Sequence, residues 1–123
     1  MACWEVQGEK KGNTAAINNR FCTAAENLDA EVETYALNEL NYRGCQGWLA
    51  CKTKLDKCVL EDDLTQVLDA VRGADILVLG SSVYFWDATS QVKGFSDCTY
   101  SYLVPNFHSQ PVKSRLVPGK KWL

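Results

Sequence analysis

Four uninterrupted apolar residues, Ile76-Leu77-Val78-Leu79, closed by Gly80 and two serines, constrain this chain more than any other stretch. A short run of this kind, rich in β-branched residues and ended by glycine, predicts a strand buried on both faces of a parallel sheet. A small polar turn follows, then Tyr84-Phe85-Trp86, then a segment through Phe95 that reads as a helix. Strand, tight turn and helix form the geometry by which open α/β sheets bind ligands at the carboxyl ends of their strands. Three aromatics beside such a turn suit a flat ring system better than a charged substrate.

The chain of 123 residues is large enough for one domain with a real core, so residues 1–123 are read as a single domain. Thirteen basic and 15 acidic residues leave a formal net charge of -2, which argues against a polyanion-binding field and so against nucleic acid as a partner. No run approaches the length of a membrane span and the N-terminus lacks a signal-peptide core, so a cytoplasmic protein without membrane attachment is expected. Six cysteines in that setting point to free thiols, metal or redox chemistry over a disulfide framework.

In chain order, Ala2 to Val6 is a short strand candidate. Gln7 to Thr14 is a loop rich in Gly and Lys, and Asn13 or Thr14 is placed to cap the helix behind it. In that helix Ile17, Phe21, Ala24 or Ala25, and Leu28 form one apolar stripe. A strand, a Gly-containing loop and a capped helix can cradle a phosphate, with Lys10 and Lys11 adding charge; a capped helix after a solvated basic turn reads equally well. Ala30 to Leu37 is a second strand, anchored by Val32 and Tyr35, and Glu31 and Glu33 mark it as an edge. After a turn around Asn38 to Arg43 come Cys45, Cys51 and Cys58. A helix then starts at Glu61-Asp62-Asp63, with Asp63 and Gln66 spaced for a capping box. Leu64, Val67, Leu68 and Val71 give it the cleanest amphipathic pattern in the chain, and Gly73 ends it. The order β-α-β-α-β-α implies right-handed crossovers and a parallel sheet with helices on both faces.

Three stretches together resemble the flavodoxin-like NAD(P)H-dependent FMN reductases, in the branch that includes the iron-sulfur flavoproteins. Gly12-Asn13-Thr14 resembles the end of that family's phosphate loop. Cys45-Gln-Gly-Trp48-Leu-Ala-Cys51, with Lys57-Cys58-Val59 and Asp62-Asp63, resembles its cysteine-rich loop. Gly80-Ser81-Ser82-Val83-Tyr84-Phe85, with Ser90-Gln91-Val92-Lys93 and Asp97, resembles its flavin loop and the helix behind it. The resemblance implies a flavodoxin-like three-layer α/β sandwich, FMN as cofactor and NAD(P)H as co-substrate. Lys10, Gly12, Asn13 and Thr14 would hold the phosphate, and Ser82, Val83, Tyr84, Phe85 and Trp86 would flank the flavin ring. The chemistry would belong to the flavin, so no catalytic side chain is assigned, and His108, the only histidine, is expected on the surface of a tail.

The chain also departs from the family pattern. Gln7-Gly8-Glu9-Lys10 stands where the family has Gly-Ser-Pro-Arg, Ser82 replaces a proline, and Cys98 replaces an arginine common after the matching Asp. Trp48 occupies a position at which the compact cysteine motif has a cysteine, so a four-thiolate cluster lacks a ligand. Cys45, Cys51 and Cys58 leave open a cluster completed from outside, a Zn site, or free thiols. A flavodoxin-like sheet has five strands ordered 2-1-3-4-5. Here three strands are predicted, followed by an irregular tail over 100–123 that passes Pro105, Pro111 and Pro118 to Gly119-Lys120-Lys121, with strands four and five missing. Ile76 to Leu79 would then be a bare apolar edge, covered by the tail or by a second chain, and a homo-oligomer is expected. Two functions remain: an FMN-dependent NAD(P)H oxidoreductase acting on a quinone, flavin or nitro compound, or an electron carrier of the iron-sulfur flavoprotein kind. A flavin-free remnant is the third.

Overall fold

The computed structural model describes residues 2–7 and 11–122. β1 (Ala2–Gln7) leads into α1 (Asn13–Glu26) and β2 (Glu31–Ala36). A 3-10 turn at Leu37–Glu39 and a one-turn helix α2 (Ala50–Thr53) precede α3 (Leu64–Gly73) and β3 (Ile76–Gly80). A small hairpin follows, β4 (Val83–Tyr84) against β5 (Asp87–Ala88). Then come α4 (Ser90–Cys98), a 3-10 turn at Thr99–Tyr102, and β6 (Lys121–Trp122). The main sheet is ordered β2-β1-β3-β6 with every neighbouring pair parallel, which is the doubly wound flavodoxin-like arrangement.

The expected three-strand sheet is therefore corrected. Lys121 and Trp122 pair with Ile76 and Leu77, so β6 takes the fourth position in the sheet. The first half of the β3 edge is covered by this strand, not by the 100–118 segment. The Lys121 amide donates to the Asp75 carbonyl at 3.0 Å, and the Lys120 ammonium donates to the Ala74 carbonyl. Nor is that segment an irregular tail throughout. Leu103 and Ser114 form an antiparallel bridge, with the Val104 amide on the Lys113 carbonyl and the Arg115 amide on the Tyr102 carbonyl.

The core lies on the face of the sheet that carries α3 and α4. Leu64, Val67, Leu68 and Val71 are all buried, as their spacing predicts, and they meet Leu37, Leu77, Val92, Phe95, Cys98 and Tyr102. Burying side chains of this size stabilises by about 1.5–3 kcal/mol each. The start of α3 differs from expectation. Asp63 stands at its N-cap but makes no side-chain cap bond. Asp62 does the capping, accepting from the Leu64 amide at 3.0 Å with one oxygen and from the Arg43 amide at 3.0 Å with the other. Asp63 instead accepts from the Asn41 amide at 2.7 Å. The two carboxylates thus fasten the 41–43 loop to the helix, a use that local spacing does not reveal.

The opposite face carries α1, and here the predicted stripe is overturned. Ile17 and Leu28 are 71% and 80% exposed, Phe21 is exposed as well, and the buried residues are Ala15, Asn18 and Cys22. Both sets fall at helical spacing; the smaller set faces the sheet because α1 lies very close to the end of β3. A Cβ built on Gly80 would sit 1.9 Å from the Asn18 side-chain nitrogen, so glycine permits this packing. The cap of α1 is Gly12, at φ 122, and neither Asn13 nor Thr14, which already lie inside the helix. In β2, Val32 and Tyr35 are only half-buried and, being three apart, point to opposite faces. Tyr35 packs on the core and donates to Glu33, so the edge strand is anchored from one side.

Candidate functional site

The carboxyl end of β3, the first turn of α1 and the β4–β5 hairpin converge at one edge of the sheet. An α-helix leaves its first N–H groups without intrahelical partners and carries positive potential there. No acidic residue occupies the first turn of α1, so that potential is not cancelled locally. The hydroxyls of Thr14 and Ser82 lie 3.3 Å apart, which joins the two loops assigned to the phosphate and to the flavin. Ser81 fixes the second loop: its hydroxyl donates to the Ser82 carbonyl at 2.8 Å and accepts from the Thr89 amide at 3.1 Å. Thr89 in turn caps α4 by accepting from the Val92 amide.

The hairpin is the unusual part. Val83 pairs with Ala88 and Tyr84 with Asp87, leaving Phe85 and Trp86 as a two-residue turn. Both have positive φ, 47 and 71, a conformation that favours Asn and Gly and costs a bulky residue about 1–2 kcal/mol. Burial does not offset that cost, because Phe85 is 97% and Trp86 94% exposed. Val83 and Tyr84 are exposed beside them. An outlier of this kind, held by its surroundings, is a mark of a functional surface. The resemblance implies Ser82, Val83, Tyr84, Phe85 and Trp86 at the flavin, and the structure gathers them on one projecting loop beside Thr14 at the start of α1. Lys10, the remaining phosphate candidate, lies outside the described residues.

These residues fit the FMN that the resemblance implies. A helix N-terminus and two hydroxyls suit a phosphate, and the exposed rings suit a flat heterocycle. One turn below Thr14, the buried Asn18 amide nitrogen has no hydrogen-bond partner among the described residues. It is a donor left over beneath the cradle, on the face that only Gly80 allows α1 to approach. Sequence reasoning missed Asn18, although its spacing from Ala15 and Cys22 could have shown it.

The cysteine loop does not fit the cluster. Cys45 is exposed, Cys51 and Cys58 are half-buried, and together with Trp48 and Val59 they line one cavity of about 20 Å³. Yet among the described residues no three His, Cys, Asp or Glu side chains converge to hold an ion. The geometry gathers the Cys45, Cys51 and Cys58 thiols without forming a ligand set among the described residues, so it lends the metal assignment of these three no support. Lys52 and Arg115 are among the cations that tie this loop to the rest of the chain. Lys52 donates to the Tyr100 and Leu103 carbonyls at 2.6 and 2.5 Å and lies over the Tyr100 ring, and its burial lowers its pKa. Arg115 donates to the carbonyls of Ser101 and Cys51 at 2.6 and 2.8 Å. His108 is exposed and stacks on Phe107, away from any role in the site.

Among the described residues no helix is long and apolar enough to cross a membrane. The chain is 31% identical to an iron-sulfur flavoprotein of Methanocaldococcus jannaschii over 87 residues, covering 71% of this chain and 45% of that protein. It is 30% identical to an iron-sulfur flavoprotein of Archaeoglobus fulgidus over 93 residues, covering 76% and 42%. It thus spans a little under half the length of these relatives. In fold it resembles a crystal structure described as a quinone reductase from Klebsiella pneumoniae, with a TM-score of 0.63 and 15% identity, over 81% of this chain and 45% of that one. The family model for NADPH-dependent FMN reductase matches residues 8–114, most of the chain, and the chain belongs to that family.

Proposed function

We propose that the chain binds FMN and serves as an NADPH-dependent oxidoreductase passing electrons to a small acceptor such as a quinone, a free flavin or a nitro compound. The observation that carries this reading is the Phe85-Trp86 turn, strained and exposed beside the Thr14–Ser82 junction. Bound FMN would supply the chemistry, accepting hydride and releasing electrons onward. The protein's share is placement. The first turn of α1 and the Thr14 and Ser82 hydroxyls hold the phosphate, and the hairpin rings pack against the flavin and exclude water from one side of it. No residue of the cradle has to move a proton. We further propose that the chain works as a homo-oligomer, since Ile17 and Phe21 on α1 and Leu28 in the turn after it leave apolar surface exposed.

A second reading, an electron carrier of the iron-sulfur flavoprotein kind, is favoured by the names of the relatives, and the unassembled cysteine set weighs against it. Titrating the purified chain with FMN separates these readings. Uptake that perturbs the flavin absorbance, followed by rapid bleaching with NADPH and reoxidation by a quinone, is expected. A chain that stays colourless after exposure to FMN would overturn both readings, and bound flavin that NADPH does not bleach would favour the carrier.

A further inference from the structure

Asn18 is a polar side chain at a position that helix packing ordinarily gives to a small apolar one. It lies on the sheet-facing side of α1 with Ala15 and Cys22, and it is only 7% exposed. Burying a side-chain amide without a partner is costly, so such a residue asks for an explanation. Its amide also has a direction. A Cβ built on Gly80 would meet the Asn18 nitrogen at 1.9 Å, its amide carbon at 2.8 Å and its oxygen at 3.1 Å. The NH2 end is therefore the tip that faces the last residue of β3, where Ser81 and Ser82 lead into the hairpin. That nitrogen is buried and has no acceptor among the described residues. One turn nearer the start of α1, on the same face, the Thr14 hydroxyl meets that of Ser82 at 3.3 Å.

Thr14, Ser82 and Asn18 thus line the seam between α1 and the loop after β3. A phosphate seated on the first turn of α1 is met by backbone N–H groups. Asn18 lies about 6 Å further along the helix, four residues past Thr14, so it faces a different part of a ligand. Two hydroxyls and an amide offer both donors and acceptors, which is the pattern that a polyhydroxyl chain pairs with. In FMN such a chain, the ribityl, joins the phosphate to the ring, and the seam joins the phosphate cradle to the hairpin. We propose that the Asn18 amide binds FMN by donating to a hydroxyl oxygen of its ribityl chain, an inference that rests on FMN occupying this cradle. The Thr14 and Ser82 hydroxyls, which pair with each other in the free chain, are the neighbouring groups the ribityl would meet. The free protein carries the buried donor at a cost, and the bound protein uses it. Removing it should move stability and affinity in opposite directions.

The test titrates the whole chain with FMN and with riboflavin, followed by flavin fluorescence, and measures the urea midpoint of each chain without flavin. Asn18→Ala should bind FMN about 3–10-fold more weakly, the range of one neutral hydrogen bond, while its flavin-free midpoint stays level or rises. Riboflavin, which has the ribityl chain and no phosphate, should lose affinity by the same factor. Asn18→Leu keeps most of the volume without the donor and should weaken both flavins as the alanine does. Unchanged affinity in Asn18→Ala would overturn the proposal, and so would full affinity in Asn18→Leu. A midpoint that falls together with the affinity would also overturn it, by showing that Asn18 serves the fold. A loss confined to FMN would overturn the assignment to the ribityl chain and move the donor to the phosphate. A parent chain that takes up neither flavin would overturn the FMN reading itself, a result distinct from a parent and a variant that bind equally well.

Discussion

Phe85 and Trp86 carry two opposed demands in adjacent residues. Their backbone is the kind that Asn-Gly adopts at least cost, and their rings stand almost fully exposed among the described residues. The double substitution Phe85→Asn, Trp86→Gly should therefore raise the stability of the free protein by about 1 kcal/mol, by relieving left-handed strain. The same change should weaken FMN binding by about 1–3 kcal/mol, because it removes two aromatic surfaces. Urea midpoints and a fluorescence titration read the two quantities separately, and a variant that loses stability while binding FMN unchanged would show that the rings serve the fold. Gly80 and Asn18 form a second residue pair whose effects should not add. Gly80→Ala forces its methyl into the Asn18 amide and should cost about 1–3 kcal/mol. Asn18→Ala removes both the obstruction and a buried donor without a partner, so in that background the same Gly80→Ala change should cost under about 1 kcal/mol. Equal costs in both backgrounds would mean that the helix simply moves aside.

The helices show which features a sequence exposes and which it hides. α3 was readable because one stripe of large residues, Leu64 to Val71, has nowhere to go but the core. α1 was readable as a helix and unreadable in its facing, because two sets of positions both repeat at helical spacing. The distance to the sheet decides between them, and that distance depends on Gly80, more than fifty residues further along. The hairpin was hidden for a related reason: its turn lacks the Asn-Gly signal, since the sequence there serves a surface and not the turn. The flavin loop itself was visible as an aromatic cluster after a glycine. The Thr14–Ser82 contact that completes the site joins elements distant in sequence and could be named only by resemblance. The same holds for Asp62, whose two bonds link α3 to the 41–43 loop. Asp62→Ala should cost about 2 kcal/mol, combining a lost helix cap with a lost charged tie. Asp63→Ala, which gives up only the Asn41 contact, should cost less. Urea unfolding of the two variants checks the order, and a larger loss at Asp63 would return the cap to the position its spacing suggested.

For the molecule as a whole, the buried acids of the α3–α4 core set a limit on alkaline stability. Burial raises the Cys98 thiol from its ordinary 9.0 to about 12, and burial also raises Tyr102 from its ordinary 10.0. The Tyr102 hydroxyl donates to the Leu68 carbonyl at 2.9 Å, a bond that needs its proton. Both groups are neutral when protonated and are held protonated by the fold. Below pH 9 the folded and unfolded chains both keep these protons, and the stabilisation is fully present. Above pH 9 the unfolded chain releases the Cys98 proton, and above pH 10 the Tyr102 proton, while the folded chain retains them; stability therefore falls with rising pH. Each group contributes a slope approaching about 1.4 kcal/mol per pH unit once its unfolded form ionises. For Cys98 the loss levels off near its folded value of about 12. Replacing Cys98 with alanine removes the earlier of the two, so the decline should begin about one pH unit later than in the parent chain. Urea midpoints measured from neutral to strongly alkaline pH, under reducing conditions that keep the other thiols from pairing, give the comparison directly. A Cys98→Ala chain with the same onset as its parent would mean that this thiol ionises in the folded state as readily as in water, and that the core around α4 admits solvent.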